Sequence, residues 1–228
     1  MKIIFNHKFG HQEQGECFVF DCSLTDVAPE EYNQALEQGF LITVQQGQPH
    51  WYQCRSTRVA TRDTNYSLLP GAAVMTDPLP LTEMDHIYTA YCYHKKFRKY
   101  FEVGEYLPED RFIQYRLDGN FVAWTKLRHY TESSLETCLF VWDYADPDAR
   151  LGDTSLGHEI AWAKSAGYQH VYLGPGYQRS SQYKSRILGF EWWTGSEWSR
   201  DVERYRWLCQ RDSRINSVAD LYDLQTTA

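Results

Sequence analysis

The sequence predicts an α+β fold, and three observations predict it. Asp118-Gly119-Asn120 stands between two apolar-rich runs, Phe112–Leu117 and Phe121–Thr125, a strong signal for a tight hairpin. A third run, Leu135–Trp142, follows across Glu132-Ser133-Ser134, so the three form an antiparallel meander. Next come an Asp/Pro/Gly-rich segment, a helical pattern and a further short apolar strand, Val171-Tyr172-Leu173, which together read as one βαβ-like unit.

Composition sets the bounds. The 228 residues, 43% of them hydrophobic, suffice for one large domain or for a domain plus a small module. A formal charge of −7 argues against indiscriminate nucleic-acid binding but allows a local basic patch. The six cysteines, Cys17, Cys22, Cys54, Cys92, Cys138 and Cys209, include no C-x-x-C pair. Met1–Lys8 is too poor in apolar residues for a signal peptide, and no run approaches membrane length. The expectation is a soluble, cytoplasmic, monomeric protein with reduced thiols and no membrane partner.

From the N-terminus, Glu16–Cys22 reads as a strand. A helix follows with Pro29 in its first turn, Glu30 and Glu31 at its positive end, Tyr32 and Leu36 on its buried face and Gly39 at its C-terminus. Phe40–Val44 and Trp51–Thr61 read as a hairpin around Gln46–Pro49. These elements make a small α/β module, residues 1–75. The aperiodic stretch Asn65–Pro80 is the expected boundary with a second domain, residues 76–228. There a helix is expected from Thr82 to Tyr100, opened by a capping box between Thr82 and Asp85 and lined by Met84, Ile87, Tyr88 and Tyr91. It ends in His94-Lys95-Lys96-Phe97-Arg98-Lys99-Tyr100. Such a run suits either a solvated helix end or contacts to a phosphate backbone, with aromatic rings between the charges.

After the meander, the stretch Ala145–Gly157 organises the chain. Asp153 or Thr154 is placed to cap a helix beginning near Ser155, whose apolar stripe is Leu156, Ile160 and Ala163 and whose stop is Gly167. A helix start presents unpaired N–H groups, a seat for phosphate or a developing oxyanion. A short helix (Ser181–Leu188) and a strand (Phe190–Thr194) complete the pattern. Meander, loop, helix, strand, helix, strand is the element order of the GNAT acyltransferase fold, in which the sheet opens beside the meander's last strand and a ligand carbonyl can bind in the gap.

Trp142-Asp143-Tyr144-Ala145-Asp146-Pro147-Asp148, then Ser155-Leu156-Gly157, then Val171-Tyr172-Leu173-Gly174, then Tyr183-Lys184 resembles the C-terminal domain of the arginyl- and leucyl-tRNA–protein transferases. Upstream, Tyr32 through Gly39-Phe40 and Ile87-Tyr88-Thr89-Ala90-Tyr91 resemble that family's earlier helices. The resemblance implies acyl transfer from an aminoacyl-tRNA ester to the amine of an acceptor protein or peptide N-terminus, with the charged tRNA as co-substrate and no further cofactor. The chemistry needs positioning, oxyanion stabilisation and uptake of a proton from the attacking ammonium. On this reading Asp143, Tyr144, Ser155, Tyr172 and Lys184 are the candidate catalytic residues. Asp146, Leu156, Gly157, Gly174, Tyr177 and Tyr183 would bind substrate. Lys95, Lys96, Arg98, Lys99, Arg179 and Arg186 would contact tRNA. Asp148 shares the acidic loop.

The chain departs from the family where its N-terminal module carries clustered cysteines. Only Cys54 remains at that place, and no metal is expected, although Cys17, Cys22, His50 and Cys54 are of the right types for a tetrahedral set. Gly174-Pro175-Gly176-Tyr177 differs from the family's aromatic continuation, and His94-Lys95 stands where an Arg-His pair is usual. Two alternatives stand beside this reading. One is an acyl-CoA-dependent N-acyltransferase, whose Gln/Arg-x-x-Gly-x-Gly/Ala loop is absent from Arg150–Gly157; the other is a catalytically silent binding protein on the same fold.

Overall fold

The computed structural model describes residues 1–11, 17–45, 48–69, 71–75, 78–99, 102–104, 106, 110–144, 151–177, 179–215 and 220, and side chains except those of 3–21, 44–49 and 153. In chain order the strands are β1 (Lys2–His11), β2 (Cys17–Thr25), β3 (Phe40–Gln45), β4 (Gln48–Gln53), β5 (Ser56–Ala60), β6 (Ala72–Val74), β7 (Asp110–Leu117), β8 (Asn120–Thr131), β9 (Ser134–Trp142), β10 (His170–Pro175), β11 (Phe190–Trp193) and β12 (Trp198–Ser199). The helices are α1 (Tyr32–Glu37), α2 (Leu81–Lys95), α3 (Leu151–Ser165) and α4 (Val202–Asp212). The fold is α+β, with the meander, helix and returning strand in the GNAT-like order. The chain forms two compact units, Thr61–Val171 and Met1–Ala60 with Tyr172–Ala228, which cut it at other places than the expected 1–75 and 76–228.

In the unit Thr61–Val171 the strands lie in the order β9-β8-β7-β6, with antiparallel pairing from β9 through to β6. The β7–β8 turn is the expected one: Asp118 and Gly119 have φ of 50° and 82°, the left-handed pair whose twist matches that of the flanking strands. β6 lies inside the stretch expected to be an aperiodic boundary.

Alternation along the meander gives each face its own helix. Phe112, Trp124 and Val141 share one face and pack with Met84, Ile87, Tyr88 and Cys92 of α2. The indole N–H of Trp124 donates to the Met84 carbonyl at 3.0 Å, so the largest side chain of this core buries no unpaired donor. α2 starts within one residue of the expected Thr82 but differs in its cap and in its end. It starts from Pro80, with the Met84 N–H on the Pro80 carbonyl, so Thr82 and Asp85 lie inside the helix and form no capping box. It stops at Lys95 rather than Tyr100: Lys96 adopts φ 57°, and the Phe97 N–H closes back onto the Cys92 carbonyl at 3.0 Å.

α3 begins at Leu151, four residues before the expected start, and ends at Gly167 with φ 91°, as expected. Its buried residues include Leu151, Ser155, Ile160 and Ala163, and also Glu159, which the apolar stripe did not reveal. The Glu159 carboxyl hydrogen-bonds Thr125 and Thr137 on the face opposite Trp124, and its Oε2 has no partner. Burial pushes it up to about 7, against an ordinary 4.5.

In the other unit, β1-β2-β4-β3 form one antiparallel sheet, and β12-β11-β5-β10 lie in this order in a second. A 3₁₀ turn, Pro29–Glu31, leads into α1, and the Glu31 carboxylate accepts the Ala28 N–H at 3.0 Å. Gly39, with φ 77°, ends this segment; a Cβ there would stand 2.3 Å from the Trp193 ring, so only glycine fits. The expected strand Trp51–Thr61 is broken at Cys54-Arg55: β4 pairs with β3 and β2, whereas β5 pairs with β11. The expected helix Ser181–Leu188 is a 3₁₀ helix, Arg179–Arg186, and β1, β12 and α4 fall where the sequence analysis assigned no element.

Two predictions follow from these local conflicts. Lys96→Gly removes the left-handed side-chain penalty, partly offset by the freer unfolded chain, and is expected to stabilise the protein by about 0.5–1 kcal/mol in a denaturant titration. For Glu159 the folded state binds the extra proton, so its contribution is most favourable below the unfolded value near 4.5 and is lost as pH rises through about 7. Glu159→Gln is therefore expected to melt above the wild type at pH 8, by about 1–3 kcal/mol of stability, and to show a flatter pH dependence between 5 and 8.

Candidate active site

The expected site residues fall into two sets, one in each unit. In Thr61–Val171 the end of β9 carries Asp143 and Tyr144. The Asp143 N–H donates to the Val122 carbonyl at 2.8 Å, which carries the strand pairing one residue beyond Trp142. Tyr144 stacks on Trp142 (4.2 Å between centroids) and on His94 (5.1 Å), and the Lys95 ammonium lies 5.5 Å from its ring. The structure thus joins the expected catalytic tyrosine to the expected basic helix end, through residues about fifty positions apart. Lys96 and Arg98 are exposed. Lys99 is tied to Asp85 at 2.5 Å and lies 5.5 Å from the Tyr88 ring, so part of its charge is already compensated.

At α3 the early start changes what the expected donors can do. Residues 151–154 already belong to α3, so the amides of Leu156 and Gly157 lie within its hydrogen-bond ladder. Ser155 is buried, with its hydroxyl toward the Gly152 carbonyl at 3.5 Å. Gly157 makes room for Tyr66, whose ring would meet a Cβ at 3.0 Å. Asp146 and Asp148 lie outside the described residues.

In the second unit the end of β10 is held by side chains. Lys184 is 7% exposed, and its ammonium donates to the carbonyls of Leu173 (2.6 Å) and Pro175 (2.7 Å). Thr57 donates to the Gly174 carbonyl at 2.7 Å, and the Cys209 thiol to that of Gly176 at 2.9 Å. Four successive carbonyls are thereby occupied. Gly174 has φ 75°, and a Cβ at Gly176 would stand 2.4 Å from the Tyr205 hydroxyl, so both glycines are required. Tyr177 is buried with the Arg55 guanidinium 4.9 Å from its ring. Tyr183, Arg179 and Arg186 are exposed on the 3₁₀ helix.

Tyr172 is fully buried in a cluster that sequence reasoning missed. Arg58 donates through Nε to Glu191 at 2.9 Å and through Nη1 to Glu37 at 2.7 Å and the Tyr172 hydroxyl at 3.3 Å, with its guanidinium 4.0 Å from the Trp198 ring. Arg200 binds the other oxygen of Glu191 at 2.8 Å. Burial pushes the Tyr172 phenol up to about 12 against the opposing pull of Arg58, so it is a neutral donor and acceptor near pH 7. Glu191 is held below the usual carboxylate range by its two arginines, which outweigh burial. Residues 37, 58, 172, 191 and 200 share no local spacing; a buried arginine in the Ser56–Ala60 strand was the available clue.

The cysteine and histidine set does not fit a metal in its described part. Cys22 lies opposite Gln53 across β2 and β4, and His50, three residues from Gln53 on the same strand, projects from the other face of the sheet. Cys54 is buried with its thiol 3.2 Å from the Ser56 hydroxyl. The side chain of Cys17 is outside the described residues, and among those described no group of three or more His, Cys, Asp or Glu could hold a metal ion.

Lys184, a candidate catalytic residue in the sequence analysis, is buried with its ammonium on two backbone carbonyls. Lys184→Ala and Lys184→Met are both expected to lose about 2–4 kcal/mol of stability in chemical denaturation, the scale of two charge-assisted hydrogen bonds to backbone carbonyls. A loss confined to the alanine variant would assign the effect to packing of the stem instead.

The family model described as arginine-tRNA-protein transferase, C terminus, matches residues 28–192. The aspartate/glutamate leucyltransferase of Chromohalobacter salexigens is 30% identical over 118 residues, 48% of this chain and 44% of that protein, so the chain spans less than half the length of this curated relative. Among solved structures the chain is similar to a GCN5-related N-acetyltransferase from Kribbella flavida (15% identity, 72% of this chain and 58% of that one, TM-score 0.40). It is also similar to L-PGS from Bacillus licheniformis (14% identity, 64% and 49%, TM-score 0.42). The family match runs from the approach to α1 into β11, well over half of the chain, and the chain accordingly belongs to the arginine-tRNA-protein transferase C-terminal family.

Proposed function

We propose that the chain is an aminoacyl-tRNA–protein transferase that moves an arginine- or leucine-type amino acid from the tRNA ester to the α-amine of a protein or peptide. The observation that carries this reading is the family match over residues 28–192. The leucyltransferase named for aspartate and glutamate supports an acceptor with an acidic first residue. The reading includes a monomer in the cytoplasm with the charged tRNA as co-substrate and no other cofactor.

The amine nitrogen attacks the ester carbonyl, the tetrahedral oxyanion collapses, the 3′ oxygen of the tRNA leaves with a proton, and an amide forms. The ester is already activated, so no covalent enzyme intermediate is needed. Asp143, at the end of β9, is assigned to hold the incoming ammonium and accept its proton, with Asp146 beside it in sequence. Tyr144, whose ring is already stacked on Trp142 and His94, is assigned to the terminal adenosine through its hydroxyl, and Lys95, Lys96 and Arg98 to the adjoining phosphates. Lys99 contributes less because Asp85 compensates it. Tyr172 and Lys184 act as positioning residues through the Arg58 cluster and the β10 carbonyls, and Gly174, Tyr177 and Tyr183 border that strand end.

The test incubates the protein with radiolabelled aminoacyl-tRNAs, one amino acid at a time, and peptides varied at their first residue. Transfer from leucyl- or arginyl-tRNA to an Asp- or Glu-initiated peptide, without acetyl-CoA, is the expected outcome. Acylation that needs acetyl-CoA and ignores charged tRNA would replace this reading with the acyl-CoA one. Lys95, Lys96 and Arg98 changed together to Ala are expected to flatten the log–log salt dependence of tRNA binding by roughly 0.7–0.9 per lost phosphate contact.

A further inference from the structure

α4 carries a stripe that the proposed chemistry leaves unused. Arg204, Trp207 and Arg211 recur at i, i+3 and i+7, and Arg214 continues the spacing just past the helix end. The opposite side of α4 is occupied: Tyr205 and Cys209 are buried, the Tyr205 hydroxyl donates to the Ser181 carbonyl at 3.2 Å, and Arg206 donates to the Ser185 hydroxyl at 2.8 Å. The stripe therefore faces away from the 3₁₀ helix on which α4 packs. Trp207 is 45% exposed, with the guanidinium groups of Arg204 and Arg211 at 5.3 and 5.5 Å from its ring centroid.

Beside the stripe lies a cleft of about 690 Å³, lined by Arg55, Arg204 and Arg211 with Trp192, Leu208, Thr194, Ser196 and Ser199. Of the lining arginines, Arg55 and Arg211 share one buried carboxylate, Asp212: Arg55 takes Oδ2, and Arg211 takes Oδ1 through two nitrogens at 2.6 and 2.9 Å. Two guanidinium groups on one carboxylate leave positive charge there, held rigidly. The lining acid Asp201 is engaged in capping α4, where its side chain accepts the Arg204 N–H at 2.9 Å. The other, Glu197, stands exposed at the tip of the β11–β12 turn.

We infer that this face of α4 and its cleft form an RNA-binding surface, on which phosphates meet Arg204, Arg211 and Arg55 and an unstacked base meets Trp207. Planar guanidinium forks suit phosphate oxygens as they do carboxylates, and the exposed indole between them is what favours a nucleic acid, whose bases can meet it, over an acidic peptide. Such a local surface is compatible with a chain of net charge −7, because binding here depends on these few side chains and not on the total. Arg179, whose N–H is tied to the Ser213 hydroxyl at 2.8 Å, extends the basic edge at the end of α4. The inference rests on the reading that a tRNA is the co-substrate.

The experiment measures binding of uncharged tRNA by fluorescence anisotropy across a salt series for the full chain and for Arg204→Glu, Trp207→Ala and Trp207→Phe, with polyglutamate as a second probe and amino-acid transfer assayed in parallel. Both side chains are exposed, so melting temperatures serve as a folding control. The expected result is a tenfold or greater loss of tRNA affinity in Arg204→Glu and Trp207→Ala, a smaller loss in Trp207→Phe, and no displacement of tRNA by polyglutamate. Affinities within twofold of wild type in all variants, or an equal loss toward polyglutamate, would overturn the surface. Transfer with unaffected variants would sink the surface and leave the proposed function standing, whereas tRNA binding that depends on Arg204 and Trp207 without any transfer would do the reverse.

Discussion

Within the unit Met1–Ala60 with Tyr172–Ala228, the arrangement around β10 depends on a single buried ammonium. Lys184 bonds the carbonyls of Leu173 and Pro175, one on each side of Gly174, whose own carbonyl is bonded by Thr57. A strand end otherwise frays, because its last groups lack a partner strand; here four successive carbonyls receive donors from three elements, the 3₁₀ helix, β5 and α4. The requirement propagates outward. The 3₁₀ helix must sit where Lys184 can reach, Tyr205 of α4 must donate to Ser181 of that helix, and Gly176 must lack a side chain so that Tyr205 can approach. A buried lysine is costly to desolvate, and the two short hydrogen bonds offset that cost only while both carbonyls stay in place.

A second constraint in the same unit is also electrostatic. Arg58 is buried in β5 and cannot shed its proton, so the fold surrounds it with Glu37, Glu191, the Tyr172 hydroxyl and the Trp198 ring. Glu191 in turn needs Arg200. This network explains why Trp51–Thr61 does not continue as one strand: β5 must pair with β11, which carries Glu191, and Glu191 lies directly opposite Arg58 in that pairing. Removing one partner would strand a buried charge, which is a heavier penalty than the loss of the contact itself.

The unit Thr61–Val171 is ordered by apolar packing instead. Trp124 and its neighbours fill the face toward α2, each large side chain contributing about 1.5–3 kcal/mol by burial. The polar exceptions are informative. Glu159 sits opposite, with one oxygen unpartnered, and Asp110 is buried beneath Lys126 and Arg128. Tyr144 emerges from this unit in a stack with Trp142 and His94 next to Lys95, which gives the family's tyrosine- and aspartate-bearing strand end a rigid aromatic base.

The meander, its Asp118-Gly119 turn, the α3 stop at Gly167, the positions of β10 and β11, and membership of a transferase family were legible in the residues themselves. These features are encoded in neighbouring residues, by alternation, by left-handed turn positions and by local spacing. Local pattern misjudged the cap and end of α2 and the start of α3, because a helix is bounded by where tertiary packing holds a turn and not by where a capping side chain is available. Tertiary structure alone decided that Lys184 is a buried clamp, that Arg58, Glu191 and Tyr172 meet, and that Tyr144 stacks on His94. Each of these contacts joins residues distant in the chain, and the energy of a buried charge depends on what surrounds it in space, a quantity that no local pattern of residues carries.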